Sequence, residues 1–206
     1  MKITCIDFET ANPFWGSICS VGAAVIENGN ITESISELIK PHPEYAVFNR
    51  DNVRVHRIKP EMVRNAPEFN MFYPGFKHLI EGGLIAAHNT SFDIDCLRDV
   101  LTIYGIPIPS FEYICTCELA KKAWPDEKTY KLKAFSRMLG HEFRHHDAGE
   151  DAIAAANIII KAMEKTGISD IRKMAESLGV KIKQVNPEDE YVLSHIRWKK
   201  KKSIRR

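Results

Sequence analysis

The first forty residues consist of short apolar runs separated by turn signals, which is the pattern of β-strands. Asn28-Gly29 is a strong hairpin signal between two such runs, and the run after it alternates polar and apolar positions. Residues 41–59, which contain two prolines, are predicted to be an irregular connection, and Pro60 to open a short helix through residue 64. We predict a three-stranded antiparallel meander over residues 2–8, 18–26 and 31–39.

Beyond that connection, apolar residues recur at the spacing of amphipathic helices. Short apolar runs at residues 84–87 and 111–115 are predicted to be strands between these helical segments. Strands that alternate with helices after an antiparallel start favour an α/β domain with a mixed sheet. The helices are predicted over residues 68–81, 91–104, 116–124, 132–139, 148–165 and 168–178.

A domain boundary is predicted where Gly167 ends the long helix. The main domain then covers residues 1–166, and a helical extension covers residues 167–196, whose second half has no clear period. Residues 197–206 are basic and of low complexity, so we predict a disordered tail.

The charge of the chain is divided between an acidic body and this basic tail. The net charge of the 206 residues is only +2, but seven of the 29 basic residues lie in the last ten positions. The remaining 22 basic and 27 acidic residues give residues 1–196 a net charge of −5. The tail is either a solvated terminus or a sequence-independent phosphate tether, with Trp198 available for stacking.

Composition excludes several classes of protein. With 44% hydrophobic and 27% charged residues the chain is not wholly disordered. No apolar run approaches the roughly 18 residues of a membrane helix, so a membrane protein is not expected. Five scattered cysteines form no disulfide framework, and Cys115-x-Cys117 has the wrong spacing for zinc. The chain begins without a signal-peptide core, so we expect a cytoplasmic protein with reduced thiols.

Candidate chemistry begins with two carboxylates in the first predicted strand. Asp7 and Glu9 are two residues apart, so their side chains point to the same face while Phe8 turns into the core. Carboxylates this close repel one another unless a cation lies between them or one is protonated. Oxygen ligands of this kind suit magnesium or manganese.

Two further segments carry acidic residues at the starts of predicted helices. Asp93 follows His88-Asn89 at a strand end. In the first turn of the next helix, its negative charge could simply interact favourably with the positive end of the helix dipole. Asp151 lies in the first turns of the long helix, close behind His146, which could accept a proton from water. His145 competes with His146 for that role. Carboxylates from distant segments beside a histidine are what a two-metal phosphodiester hydrolase requires.

These three segments resemble, in order and separation, the motifs of the DEDD superfamily of 3′–5′ exonucleases. The similar branch uses histidine (DEDDh) and is typified by the proofreading epsilon subunit of bacterial DNA polymerase III; Asp147, four residues before Asp151, disfavours the tyrosine branch. The resemblance covers roughly residues 1–165 and implies a ribonuclease-H-like α/β fold, a five-stranded mixed sheet with helices on both faces. The matching segments are Ile6-Asp7-Phe8-Glu9-Thr10, Ala87-His88-Asn89-x-x-Phe92-Asp93 and His146-x-Ala148-x-x-Asp151.

The resemblance implies a role for each matching residue. Asp7, Glu9 and Asp151 would hold the catalytic cation, Asp93 would complete a second site, and His146 would be the general base. The residues implied to meet the substrate are Thr10, Asn89 and Phe92, together with His56. His56 belongs to His56-Arg57-Ile58-Lys59, which stands where the family often has His-Gly-Ile-Thr. A second departure is Ala11-Asn12-Pro13 after Thr10, where the family commonly has glycine.

The activity implied is metal-dependent 3′–5′ exonuclease action with two divalent cations, Mg²⁺ or Mn²⁺. It would release nucleoside 5′-monophosphates from single-stranded 3′ ends, with DNA favoured. RNA as the natural substrate stays open, because recognition of the 2′-hydroxyl cannot be read from these residues. A third interpretation is a polymerase-associated nucleic-acid-binding module with a vestigial site. A DNA polymerase subunit is one candidate partner, no membrane is expected, and the oligomeric state is open.

Overall fold

A six-stranded mixed sheet forms the centre of the protein in a computed structural model that describes residues 2–81 and 83–194. The predicted meander is present as β1 (Ile3–Thr10), β2 (Ile18–Glu27) and β3 (Asn30–Leu38). β4 (Leu84–Ala87) pairs parallel to β1, and β5 (Phe111–Cys115) pairs parallel to β4. The order across the sheet is β3-β2-β1-β4-β5-β6.

The expected five-stranded sheet has a sixth strand in this protein. β6 (Lys183–Val185) pairs antiparallel to β5 and comes from the segment in which no period was found. Three residues are too few to show an alternation of two, so pattern alone could not have found it.

Helices cover both faces of the sheet, as predicted. α2 (Phe69–Ile80) and α3 (Ser91–Ile103) pack on one face with Ile6 and Phe8 of β1. The other face packs Ile3 and Cys5 of β1 against the remaining large helices. These are α4 (Thr116–Ala123), α6 (Ala148–Thr166) and α7 (Ile171–Leu178), with α5 (Leu132–Met138) packed beside α6.

The connection over residues 41–59 is more regular than predicted. It contains a 3₁₀ turn (Pro43–Tyr45) and helix α1 (Arg50–His56), at whose start the side chain of Asn49 accepts a hydrogen bond from the backbone N–H of Asp51. α1 buries only His56, so it has no apolar stripe for a sequence pattern to reveal. The short helix predicted from Pro60 to residue 64 is wrong, since residues 60–65 form turns.

The residues after α6 share the core of the main domain. α7 buries Ile171 and Met174 against α6, and β6 extends the sheet. The predicted domain boundary at residue 166 stays a prediction. The predicted disorder of residues 197–206 lies outside the described residues. Within the described part of the chain, no helix is long and apolar enough to cross a bilayer.

Candidate active site

Asp7 and Glu9 lie near the carboxyl end of β1, at the side of the sheet where the parallel strands β4 and β5 also end. Both side chains point to the face that α6 covers, whereas Phe8 between them is buried on the opposite face. Asp7 lies opposite Gly22 of β2, and the pairing shifts by one residue between Glu9 and Thr10. The predicted convergence of the two carboxylates is therefore present.

α6 supplies the third carboxylate through its first turns. The helix starts directly after Asp147, whose side chain accepts a hydrogen bond from the backbone N–H of Glu150. Asp151 is almost fully buried. Carboxylate oxygens of Asp7, Glu9 and Asp151 all lie within 4.8 Å of one another, a grouping that could hold a metal ion.

Asp93 approaches the same cluster from the first turn of α3. It is buried, and its Oδ1 accepts a hydrogen bond from the backbone N–H of Phe8 at 3.2 Å. Asp93 therefore contacts the backbone of β1. If Asp93 only stabilised the dipole of its own helix, this contact would not be needed. Asp93 lies outside the three-carboxylate group but raises the pKa of Asp7 by its charge.

The carboxylates raise one another's pKa values. Burial raises the pKa of Asp7 well above its usual range, and the charges of Asp93, Asp151 and Glu9 add to the shift. Burial, followed by the charge of Asp151, raises the pKa of Glu9 to about 8. The cluster therefore holds its full negative charge at neutral pH only when cations bind, and its all-oxygen donor set fits Mg²⁺ or Mn²⁺.

Two stacked histidines, with ring centroids 3.8 Å apart, lie at the rim of this cluster. His145 Nδ1 lies 2.6 Å from Oδ1 of Asp151, so this ring holds the carboxylate. His146 donates its backbone N–H to Asp151 Oδ2, and its Nδ1 lies 3.6 Å from Glu9 Oε1. Burial, followed by the charge of His145, lowers the pKa of His146 to about 4.

His146 also has an unusual backbone. Its φ of 69° is in the left-handed region, which for a residue other than glycine or asparagine is uncommon and costs of order 1–3 kcal/mol. This conformation directs the backbone N–H of His146 to Asp151 while its ring lies near Glu9.

Comparison with known proteins agrees with this geometry. A family model described as exonuclease, of the RNase T type, matches residues 4–159, well over half of the chain. The chain belongs to the exonuclease family. The predicted resemblance to 3′–5′ exonucleases and the predicted α/β fold are confirmed, while the roles of the five candidate residues stay predictions.

The exonuclease-family relatives include much longer proteins. The chain is 32% identical over 170 residues to the 3′–5′ exonuclease DinG of Bacillus subtilis, covering 80% of this chain and 18% of DinG. It is 33% identical over 177 residues to the PolC-type DNA polymerase III of Thermotoga maritima, covering 82% of this chain and 12% of PolC. The chain thus spans less than one-fifth of these curated relatives.

A solved structure of similar size is exonuclease X in complex with 5′-overhanging duplex DNA. The two share 27% sequence identity with a TM-score of 0.67, over 86% of this chain and 99% of exonuclease X. The ribonuclease-H-like exonuclease architecture therefore accounts for most of the chain.

The exonuclease motif residue Thr10 is buried and held by two side chains. Its carbonyl oxygen accepts hydrogen bonds from Asn52 Nδ2 at 2.9 Å and from His56 Nε2 at 3.2 Å. His56 Nδ1 accepts from the backbone N–H of Ile58, so both ring nitrogens have backbone partners. Burial lowers the pKa of His56. His56 also borders a cavity next to His146, so its predicted contact with substrate stays a prediction.

The departure His56-Arg57 has a structural consequence. Arg57 ends α1 with a φ of 66°, the left-handed backbone that glycine adopts without strain. The arginine is exposed beside His146, where it lines a cavity of about 380 Å³. The positive charge of Arg57 therefore borders the same cavity as His146, together with the carboxylates of Glu37 and Asp147.

Asn89 and Phe92 flank the start of α3. Asn89 is exposed with a φ of 67°, and the half-buried ring of Phe92 lies edge-on to Trp15, with centroids 5.6 Å apart. Sequence reasoning missed Trp15 and Asn52. A signal for Trp15 existed, because it is an aromatic residue in the loop directly after the first motif.

Proposed function

We propose that this chain is a metal-dependent 3′–5′ exonuclease that releases nucleoside 5′-monophosphates from single-stranded 3′ ends, with DNA preferred over RNA. The observation that carries the proposal is the grouping of Asp7, Glu9 and Asp151 within 4.8 Å, with Asp93 beside Asp7 and His146 at the rim. The DNA preference is supported by exonuclease X, whose structure contains DNA.

Asp7, Glu9, Asp93 and Asp151 would hold two divalent cations, Mg²⁺ or Mn²⁺. Bound there, the cations supply Lewis-acid stabilisation of the charge that develops on the attacking and leaving oxygens of a phosphodiester. The hydrogen bonds from His145 and from the backbone N–H of His146 fix Asp151 before any cation arrives.

His146 is the proposed general base. With its pKa lowered to about 4 it is neutral at neutral pH, which is the form that accepts a proton. Its ring is about two-fifths exposed and borders the 380 Å³ cavity, so a water molecule and a terminal nucleotide can approach it. The N–H of Phe8 and the side chains around Thr10 hold β1 in place during the reaction.

The substrate preference is tested with 5′-labelled oligonucleotides of one sequence: single-stranded DNA, duplex DNA and single-stranded RNA. With Mg²⁺ or Mn²⁺ we expect a ladder that shortens from the 3′ end, fastest on single-stranded DNA. A faster rate on RNA would make the chain an exoribonuclease. Binding of the oligonucleotide without turnover on any of the three would make it a polymerase-associated binding module and overturn the proposal.

A polymerase partner is a separate proposal, supported by similarity to PolC-type DNA polymerase III. Co-elution of the chain with a replicative polymerase subunit supports it, and independent elution of the two proteins at micromolar concentration contradicts it.

A further inference from the structure

A second cavity, of about 180 Å³, lies beside the candidate active site at the same edge of the sheet. Its floor contains Asn89 and Thr90, which follow β4, and Cys115, which ends β5. β1, β4 and β5 are parallel neighbours spaced about 4.8 Å apart, so the cavity is roughly two strand spacings from Asp7 and Glu9. We call it the lysine groove because of its walls.

Three lysines form the walls of the lysine groove. Lys121 comes from α4, and Lys181 and Lys183 come from the segment that leads into and forms β6. All three are exposed, and among the described residues none of them makes an ion pair within 4.0 Å. One carboxylate, Glu118, also lines the groove, which leaves a net charge of +2.

The floor of the groove also favours negative charge. Burial raises the pKa of the Cys115 thiol, but hydrogen bonds from the Thr90 side chain and from the backbone N–H groups of Glu118, Thr90 and Asn89 outweigh it. The net effect is a lowered pKa, so an anion is stabilised where the starts of α3 and α4 meet.

Part of the groove lies outside the region that the exonuclease family shares. The family model ends at residue 159, whereas Lys183 belongs to the added strand β6 and Lys181 to the segment that leads into it. The extension thus places two unpaired cations beside a site whose own residues are carboxylates.

We propose that the lysine groove binds internucleotide phosphates of the substrate strand on the 5′ side of the scissile bond. The inference rests on the proposed function: a strand with its 3′ end at the carboxylates continues along the sheet edge, over Asn89, into the groove. A dinucleotide has only the scissile phosphate, so it cannot reach the lysines. The extension therefore favours longer strands and leaves the bond-breaking residues unchanged.

The test uses the full chain with the double substitution Lys181→Ala and Lys183→Ala. A matched control is Lys77→Ala with Lys173→Ala, which removes the same charge from α2 and α7 at exposed positions. We expect the groove variant to raise KM for a 12-nucleotide single-stranded DNA about tenfold in low salt and to leave kcat unchanged. The slope of log KM against log salt concentration should fall by about 1.4, roughly 0.7 for each lost phosphate contact.

The dinucleotide provides the internal comparison. Its KM should change less than twofold in the groove variant, and the control variant should change neither substrate. Equal KM values and equal salt slopes for the wild type and the groove variant on the 12-nucleotide strand would overturn the proposal.

A binding measurement separates this proposal from the proposed function. In Asp7→Asn protein, the 12-nucleotide strand should slow alkylation of Cys115 by iodoacetamide, which mass spectrometry measures; the other four cysteines are buried. Anisotropy should show weaker binding after the two groove substitutions. Absence of hydrolysis by the wild type would overturn only the proposed function. If Cys115 is alkylated as fast in the saturated complex as in the free protein, the proposal that the lysine groove binds the strand is overturned.

Discussion

The absence of a side chain at Gly22 allows the carbonyl group of Ala148 to lie directly on strand β2. A Cβ atom at Gly22 would overlap that carbonyl group and would lie 2.5 Å from the amide nitrogen of Gly149. Gly22 pairs with Asp7 across the β1–β2 ladder. The first turn of α6, which carries Asp151, therefore rests on the sheet next to Asp7, and this contact joins two of the three motifs.

Gly22→Ala should lower the exonuclease rate by moving α6. The added methyl group meets backbone, so the helix must shift, and a displacement of about 1 Å at a reacting group costs about 10²-fold in rate. Overpacking should also lower the free energy of unfolding by roughly 1–3 kcal/mol. Exonuclease rates and urea unfolding measure the two effects.

Gly75→Ala is the matched control, because a Cβ atom at Gly75 in α2 meets nothing within 4 Å. It should leave the rate unchanged and stabilise the helix by up to about 1 kcal/mol. Wild-type rates in Gly22→Ala would show that the close approach does not position Asp151.

Substitution should separate the roles of the two histidines. His146→Gln removes the proposed base, and we expect kcat to fall about 10²–10⁴-fold with Mn²⁺ affinity nearly unchanged. His145→Gln removes the hydrogen bond to Asp151, so weaker Mn²⁺ binding should account for most of its loss. Calorimetric Mn²⁺ titrations and kcat at saturating metal measure both. A larger fall in kcat at saturating Mn²⁺ for His145→Gln would reverse the assignment.

The metal-free protein should lose stability as pH rises. Glu9 has a pKa of about 8 in the folded state and an ordinary value of 4.5, so between these values the folded state binds a proton that the unfolded state has lost. Unfolding then releases protons, and stability falls through this window. Asp7, whose pKa is also raised, acts in the same direction.

Melting temperatures in chelator from pH 5 to pH 8 measure this effect. Glu9→Gln should flatten the decline, and Mn²⁺ should stabilise the wild type more at pH 8 than at pH 5. A wild-type melting temperature that rises over this interval relative to Glu9→Gln would contradict the account.

The site was predictable from sequence where it depends on local periodicity. Asp7 and Glu9 alternate with Phe8 along one strand, and Asp93 and Asp151 fall in the first turns of helices with clear apolar faces. The ordered motifs then indicated that these elements meet.

Contacts made in three dimensions were not predictable. The motif spacing singles out His146 but assigns no contact to His145, so the hydrogen bond between His145 and Asp151 and the left-handed backbone at His146 were not foreseen. β6 is held by its pairing with β5 rather than by a pattern of its own. Similarly, Arg57 has the left-handed backbone conformation that glycine adopts most easily, so the residue type at this position does not predict the conformation.

The segment after β6 should be held by Asp99. This fully buried carboxylate accepts hydrogen bonds from Tyr191 Oη at 2.7 Å, from the Ser194 backbone N–H at 2.9 Å and from the Ser194 hydroxyl. Asp99→Ala removes these three hydrogen bonds, so we expect the free energy of unfolding measured in urea to fall by roughly 1–3 kcal/mol.

Asp51→Ala serves as the control for that loss, because it breaks an ion pair with Arg54 in which both side chains are mostly exposed. It should change stability little. If Asp99→Ala is as stable as Asp51→Ala, the contacts of Asp99 do not hold the segment.

The central claim is that the four clustered carboxylates, Asp7, Glu9, Asp93 and Asp151, act through bound cations at a strand's 3′ end. The most direct measurement is the rate at which 5′-labelled single-stranded DNA shortens as Mg²⁺ is titrated, in the wild type and in Asp7→Asn. We predict a wild-type rate that is zero in chelator and rises to saturation with Mg²⁺, and an Asp7→Asn rate at least 10²-fold lower at every concentration. Equal rates in the two proteins, or degradation by the wild type in chelator, would contradict the account.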